Sequence, residues 1–325
     1  MKVAVIGASG FVGGRLVPVL VERGHDVAAL TRRPAEYRGP ADPCFADLDD
    51  HDSLVQALSS ADVVYLLAHS LGTDSFAERE ARQGESLRDA AAEAGLDLIV
   101  FLGGLGRDGD DLSPHLQSRR RVEEILRTGS VPVTVVRSGI ILGAGSAAWE
   151  MLRQLVEVLP VTISDPRANT LTQPIAVSDA VAYLADVIDH TSCRGLTLEI
   201  GGADVLAYHQ MPERFAALTS RTRLRVRVPR LPNAVAAAGV ELLTDVDGST
   251  AQDLLGSMGT EAVVTDPKIH DLLPRTVLGF DAAVRAALAE GRPRSRWAAT
   301  MSAARTLCSG RFLGWPVRKL RRAPS

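Results

Sequence analysis

At 325 residues, with 46% hydrophobic and 23% charged side chains, the chain has the composition of an ordinary globular protein with room for a sizeable core. Aromatic residues make up only 4% and the net charge is −3, so neither stacking platforms nor a pull towards polyanions is present, and no nucleic-acid partner is expected. Cys44, Cys193 and Cys308 are too scattered for a disulfide framework or a zinc site, which points to a reducing, cytoplasmic setting.

Met1-Lys2 runs straight into a strand pattern with no signal-peptide signature, and no apolar run reaches the roughly 18 residues of a membrane span. Short β-branched apolar runs then predict strands at 3–6, 27–30, 44–46, 63–67, 98–102 and 133–137. Between them, apolar residues spaced by three and four predict helices at 12–23, 53–59, 76–94 and 115–128. Such alternation builds right-handed βαβ units, so the expected fold is α/β, a Rossmann-type doubly wound parallel sheet.

Beyond Gly139 the order loosens, with strands at 174–177 and 197–200 and helices at 179–188 and 280–289. The expected organisation is a dinucleotide-binding Rossmann domain over 1–137, a smaller C-terminal substrate lobe over 138–290 interleaved with the sheet, and a basic tail over 291–325. That tail carries nine Arg or Lys and no Asp or Glu, which leaves the preceding residues at −12 and gives the tail a composition suited to anionic surfaces.

Gly7-Ala8-Ser9-Gly10-Phe11-Val12-Gly13 lies between the first strand and the first helix, where the backbone must turn sharply and then approach a pyrophosphate. The helix that follows offers free N–H groups and the positive end of its dipole to phosphates. Gly7, Ser9, Gly10, Phe11, Val12 and Gly13 are therefore candidate cofactor contacts. An NAD-binding unit places a carboxylate at the tip of its second strand for the ribose 2′-hydroxyl. Here the tip reads Leu30-Thr31-Arg32-Arg33-Pro34, and two guanidiniums suit a 2′-phosphate instead. The expected cofactor is NADP(H), with NAD possible and a plain solvated loop as the alternative for Arg32 and Arg33. Asp47-Leu48, after the third strand, suits the adenine amino group; an acidic N-cap for the next helix explains the same cluster equally well.

Together with the helix opening Ser113-Pro114-His115-Leu116, these motifs make the chain resemble an atypical short-chain dehydrogenase/reductase, nearest to the NmrA-like proteins and the complex I NDUFA-type accessory subunits. The resemblance covers residues 1–137 and extends more loosely through Gln173-Pro174-Ile175-Ala176-Val177 and Asp179 to Gly201-Gly202. It implies that the loop of Ala68 and His69 passes under the cofactor and that Ser138, at the same sheet edge, lies near it; for His69 and Ser138 an ordinary loop or turn role is the alternative. In catalytic members of that family a Ser after the fifth strand and a Tyr-x-x-x-Lys on the next helix move the proton. The matching positions here are Gly103 or Gly104, His115 and Arg119. The spacing is kept and the residue types are not. Arg119 can hydrogen-bond a ribose but cannot cycle a proton, whereas His115 can serve as an acid, weakened by the neighbouring Arg.

Gln173, entering a strand beside the expected cleft, is a candidate substrate contact or a plain strand start. Arg221, Arg223, Arg225 and Arg227 alternate with apolar residues, and the simplest expectation is an edge strand with its guanidiniums in solvent, with a site for an anionic partner as the alternative. The leading functional expectation is an NADP(H)-dependent oxidoreductase on a small carbonyl or alcohol. The alternative is a non-catalytic NADP(H)-binding redox sensor or assembly partner for a regulatory protein.

Overall fold

A computed structural model describes residues 1–68, 76–107 and 112–291. Its centre is a seven-stranded parallel sheet of β1 (Lys2–Ile6), β2 (Asp26–Thr31), β3 (Asp42–Phe45), β4 (Val63–Leu66), β5 (Leu98–Gly104), β6 (Val133–Ser138) and a late strand, Thr197–Ile200. In chain order the remaining strands are β7 (Ile141–Leu142), β8 (Val161–Ser164), β9 (Leu171–Thr172) and β10 (Ile175–Ala176), then the late strand as β11, followed by β12 (Leu206–Ala207) and β13 (Leu224–Arg227). The central order is β11-β6-β5-β4-β1-β2-β3, so the winding direction reverses between β1 and β4. In open α/β sheets that reversal leaves a crevice outside the carboxyl ends of the strands, where ligands bind.

The alternation of side chains along β1 explains the two-faced cover. Val3 and Val5 point into one apolar layer and Ala4 and Ile6 into the other, and all four are buried. The first layer packs under α1 (Gly13–Glu22) and α6 (Val177–Asp189) through Leu16, Val17, Leu20, Val181 and Leu184. The second packs under α2 (His51–Leu58), α3 (Phe76–Glu93) and α4 (Pro114–Arg127) through Leu54, Leu58, Leu87, Val122 and Leu126. A sheet covered on both faces needs near-continuous apolar strands, and those are the runs visible in the sequence.

The later half contributes β11 and α6 to this sandwich and builds two smaller cores of its own. Trp149 of α5 (Ala147–Val158), Phe215 of α7 (Gln210–Leu218) and Phe280 and Val284 of α11 (Phe280–Ala289) form one. Ala237 and Val240 of α8 (Asn233–Leu243) with Ala251 of α9 (Gly248–Ser257) form the other. A short α10 (Lys268–Leu272) buries Ile269 against the main sheet. No helix among the described residues is long and apolar enough to cross a membrane.

Strand β13 corrects one expectation. The guanidiniums of Arg221 and Arg223 turn back onto the carbonyls of Glu157 (3.2 Å) and Val156 (2.8 Å), and Arg225 donates to Ser164 Oγ (3.1 Å). The apolar side chains face out instead, with Leu224 71% and Val226 37% exposed. The cause is α5, whose last carbonyls lack helical partners and attract guanidiniums.

Candidate functional site

The turn after β1 has the three-glycine spacing, and each glycine does a different job. Gly7 has φ +88°, a conformation L side chains rarely adopt, and a Cβ there would come within 2.9 Å of the Ala68 nitrogen. A Cβ on Gly13 would overlap the Gly7 carbonyl oxygen, so this glycine lets α1 lie against the turn. Gly10 donates to the Gly7 carbonyl at 2.9 Å, and a Cβ on it would meet only that same oxygen, at 3.2 Å. Gly10 is therefore the position where the fold leaves its outer side open. The residue before α1, Val12, offers no side-chain cap, so no side chain competes for the first amides of the helix. Phe11 packs its ring under the Arg15 guanidinium (4.7 Å), and Arg15 also donates to the Phe11 carbonyl (3.0 Å) and pairs with Glu290 (2.7 Å). The loop is thus tied to the end of α11.

Beside this turn, at the carboxyl ends of β1 to β4, lies a cavity of about 590 Å³. Of the sequence-predicted contacts it gathers Gly7, Ser9, Arg32, Arg33, Asp47, Leu48 and Ala68 in its walls. Gly10, Phe11, Val12 and Gly13 form the adjoining turn, and Ser138 is buried at the tip of β6, opposite Gly104 in the sheet register. His69 lies outside the described residues. Arg32 makes no hydrogen bond or ion pair within the described residues, and Arg33 has only a 3.4 Å pair with Glu36 between two exposed side chains, which is worth little. Both guanidiniums remain available to a ligand. The acidic cluster after β3 divides its roles: Asp50 caps α2 by accepting from the Ser53 amide (3.2 Å), whereas Asp47 lines the cavity and its carboxylate accepts from the Asp49 amide (3.1 Å).

Sequence reasoning missed Tyr37, Arg79 and Gln83 in the same walls. Arg79 and Gln83 are one helical turn apart at the start of α3 and hold one carboxylate: Arg79 donates to Asp49 Oδ2 through Nε (3.1 Å) and Nη2 (2.6 Å), and Gln83 donates to Oδ1 (2.9 Å). Burial opposes ionisation of Asp49, but these bonds prevail and hold its carboxyl below the usual carboxylate range. The i, i+4 polar pair was the available signal, and it reads in isolation as a solvated helix face.

Helix α4 carries His115 and Arg119. Ser113 caps it by accepting from the Leu116 amide (3.3 Å) and meets Ser257 Oγ at 3.0 Å, so the helix opens against the end of α9. His115 is half-buried in its first turn. Arg119 is buried: it donates to the carbonyls of Leu102 (2.6 Å) and Ala68 (3.3 Å), faces Glu80 at 3.5 Å and stacks on the Phe101 ring at 4.5 Å. Burial pulls its pKa below the ordinary arginine value, against the opposing pull of Glu80. Glu80 is held in turn by Ser118 Oγ at 2.6 Å. At the end of β5, a Cβ on Gly104 would overlap Leu116 Cδ2, so Leu116 fills the side on which a residue there would project. Gln173 is bound at both ends of its amide, donating to the Gly202 carbonyl (2.7 Å) and accepting from the Val264 amide (3.0 Å), a strand-fixing role.

Comparison with known proteins agrees with this architecture. An uncharacterized protein of Mycobacterium tuberculosis is 27% identical over 244 residues, 75% of this chain and 26% of that protein. The chain thus spans about a quarter of the length of that relative. The mitochondrial NADH dehydrogenase (ubiquinone) 1 alpha subcomplex subunit 9 of Arabidopsis thaliana is 25% identical over 304 residues, 85% of this chain and 75% of that protein. An NADPH-dependent quinone oxidoreductase of Escherichia coli, solved with NADPH, shares the fold with a TM-score of 0.66 at 19% identity, over 88% of this chain and 99% of that one. The family model described as the NmrA-like family matches residues 1–229, and the chain belongs to that family.

Proposed function

We propose that the chain is an NADP(H)-binding oxidoreductase whose acceptors take a hydride without needing a positioned proton donor, quinones foremost among them. The observation that carries the reading is the cavity at the winding reversal, which the glycine turn adjoins and whose walls hold Arg32, without a partner among the described residues, and Arg33, with only an exposed pair to Glu36. These residues fit a phosphorylated dinucleotide: the turn at Gly10 admits a pyrophosphate, Arg32 and Arg33 suit a 2′-phosphate, and Asp47 suits an exocyclic amine. When bound, the nicotinamide of such a cofactor supplies a hydride.

The substrate class follows from what α4 lacks. Reducing an aldehyde or ketone generates an alkoxide, which calls for an acid at the site, whereas reducing a quinone generates a phenolate-type oxygen with an ordinary pKa of about 10, which water protonates readily. Arg119 spends its donors on carbonyls and on Glu80, and Leu116 fills the side of Gly104, so of the family's proton relay only His115, at the tyrosine position, keeps a group able to carry a proton. The E. coli structure of the same fold is named as an NADPH-dependent quinone oxidoreductase, which supports this choice. Free thiols at Cys44 and Cys193 suit a reducing, cytoplasmic compartment.

A second reading, an NADP(H)-binding protein without turnover that serves as a sensor or assembly partner, is favoured by the same commitment of Arg119 and by the name of the Arabidopsis relative. Calorimetry with NADPH and NADH, followed by NADPH consumption with quinones, aldehydes and ketones, separates them. Quinone-dependent oxidation supports the first reading, tight NADPH binding with no turnover the second, and binding of neither dinucleotide overturns both.

A further inference from the structure

We infer that Arg79 is a cofactor-positioning residue, one wall of an adenine slot, with its guanidinium plane set by Asp49; the inference rests on the dinucleotide reading of the cavity. Three observations lead to it. Arg79 stands in the cavity wall with the apolar Leu48 and Ala68, which supply the surfaces between which a flat heterocycle fits. It uses Nε and Nη2 on a single carboxylate oxygen, which fixes its orientation, and the side chain is 36% exposed beside the cavity. Asp49 is itself pinned by Gln83, so the wall is braced from α3 and from the loop before α2.

Charge decides between the purine and the 2′-phosphate as the partner of Arg79. The charge of Arg79 is matched by Asp49 at 2.6 Å, whereas Arg32 has no partner among the described residues. An anion gains most from the unmatched cation. A guanidinium already neutralised along one edge keeps what its faces offer, which is stacking on a π system, since arginine is weakly hydrated and planar. The division of labour is therefore Arg32 and Arg33 for the phosphate that distinguishes the two cofactors, and Arg79 for the adenine they share.

The test is titration calorimetry of the unaltered protein, Arg79→Ala and Arg79→Lys with NADPH and with NADH, with thermal unfolding recorded for each. Arg79→Ala is expected to raise both dissociation constants by the same factor, about tenfold. Arg79→Lys, which keeps the charge and loses the plane, is expected to behave like alanine. Unchanged affinities in Arg79→Ala would overturn the inference while leaving the cavity assignment standing. So would a loss confined to NADPH, which marks a phosphate contact, or full rescue by lysine, which marks a point charge. Failure of the unaltered protein to bind either dinucleotide would overturn the inference together with the reading beneath it. Should Arg79→Ala unfold, Arg79→Gln, which keeps a planar amide, is expected to retain more affinity than Arg79→Lys for both cofactors, and the reverse order refutes the stacked plane.

Discussion

Replacing Arg119 is the sharpest probe of how the proton-relay helix has been rebuilt. Its guanidinium bonds the carbonyls at the ends of two adjacent strands, Leu102 at 2.6 Å and Ala68 at 3.3 Å, and faces the buried Glu80 at 3.5 Å. Arg119→Ala removes two charge-assisted bonds and takes from the buried Glu80 carboxylate the guanidinium it faces. Stranding one member of a buried pair costs about 3–5 kcal/mol, and this dominates over the bonds to neutral carbonyls. The expected result is a fall in urea-unfolding stability of about 3–5 kcal/mol. Converting Glu80 and Arg119 together to methionine is expected to recover most of it, because no charge is then left unpaired. A second effect follows from geometry: Ala68 is part of the cavity wall, so slackening its carbonyl is expected to weaken NADPH only modestly, by less than about tenfold. An Arg119→Ala protein with unaltered stability and a large, selective loss of cofactor affinity would refute this reasoning and place the guanidinium against the cofactor itself.

Four further outcomes are expected. Gly10→Val is expected to abolish dinucleotide binding in calorimetry with little change in thermal stability, while Gly7→Ala, forced to φ +88° and onto the Ala68 nitrogen, is expected to destabilise the fold by roughly 1–3 kcal/mol. Arg32→Ala combined with Arg33→Ala is expected to erase a tenfold to hundredfold preference for NADPH over NADH, and equal affinities in the unaltered protein would refute the assignment. His115→Ala is expected to leave quinone turnover within about threefold, whereas a hundredfold or greater loss with a pH dependence near the histidine's titration would make His115 the proton donor.

The sequence made the sheet legible because a strand buried on both faces must be a nearly continuous apolar run, as in five of the six strands before Gly139; the sixth, the edge strand β3, is mostly exposed and shows only in Cys44-Phe45-Ala46. Their predicted ends lie within two residues of β1 to β6. The later half was harder to read for a physical reason. Helix α5 starts at a proper cap, Ser146 accepting from the Trp149 amide at 3.1 Å, yet its buried residues include Arg153 and Gln154. Its polar residues are satisfied internally, Arg153 by Glu150 and Glu157, and so disguise the apolar stripe. The arginines of β13 misled in the same way: alternation fixes which side chains share a face and leaves open which face is wet. In the candidate site, one-residue signals such as the glycines and the β2 tip were readable. Arg79 and Gln83 reach the cavity from a different crossover, and that proximity exists only after the chain has wound through β4.

The three departures on the proton-relay side are physically coupled. Leu116 occupies the side of Gly104, so a serine at 104 requires the end of the Leu116 side chain to turn aside at the start of a helix that Ser113 caps. Arg119, one turn later, reaches the carbonyls of β5 and of Ala68, a buried position from which it bridges α4, the sheet edge and the cavity wall. Restoring a tyrosine at 115 alone would therefore set a phenol on the helix with its expected cationic neighbour turned into the protein and its serine partner's place filled. The dinucleotide cavity, by contrast, is shaped chiefly by the backbone around Gly7 and the tip of β2, and meets α4 through the Ala68 carbonyl that Arg119 holds. Cofactor binding and the relay positions thus draw on largely separate parts of this fold, linked at Ala68. On the proposed reading, that division lets a nucleotide site stand without the family's full relay, and acceptors that draw their proton from water suit it.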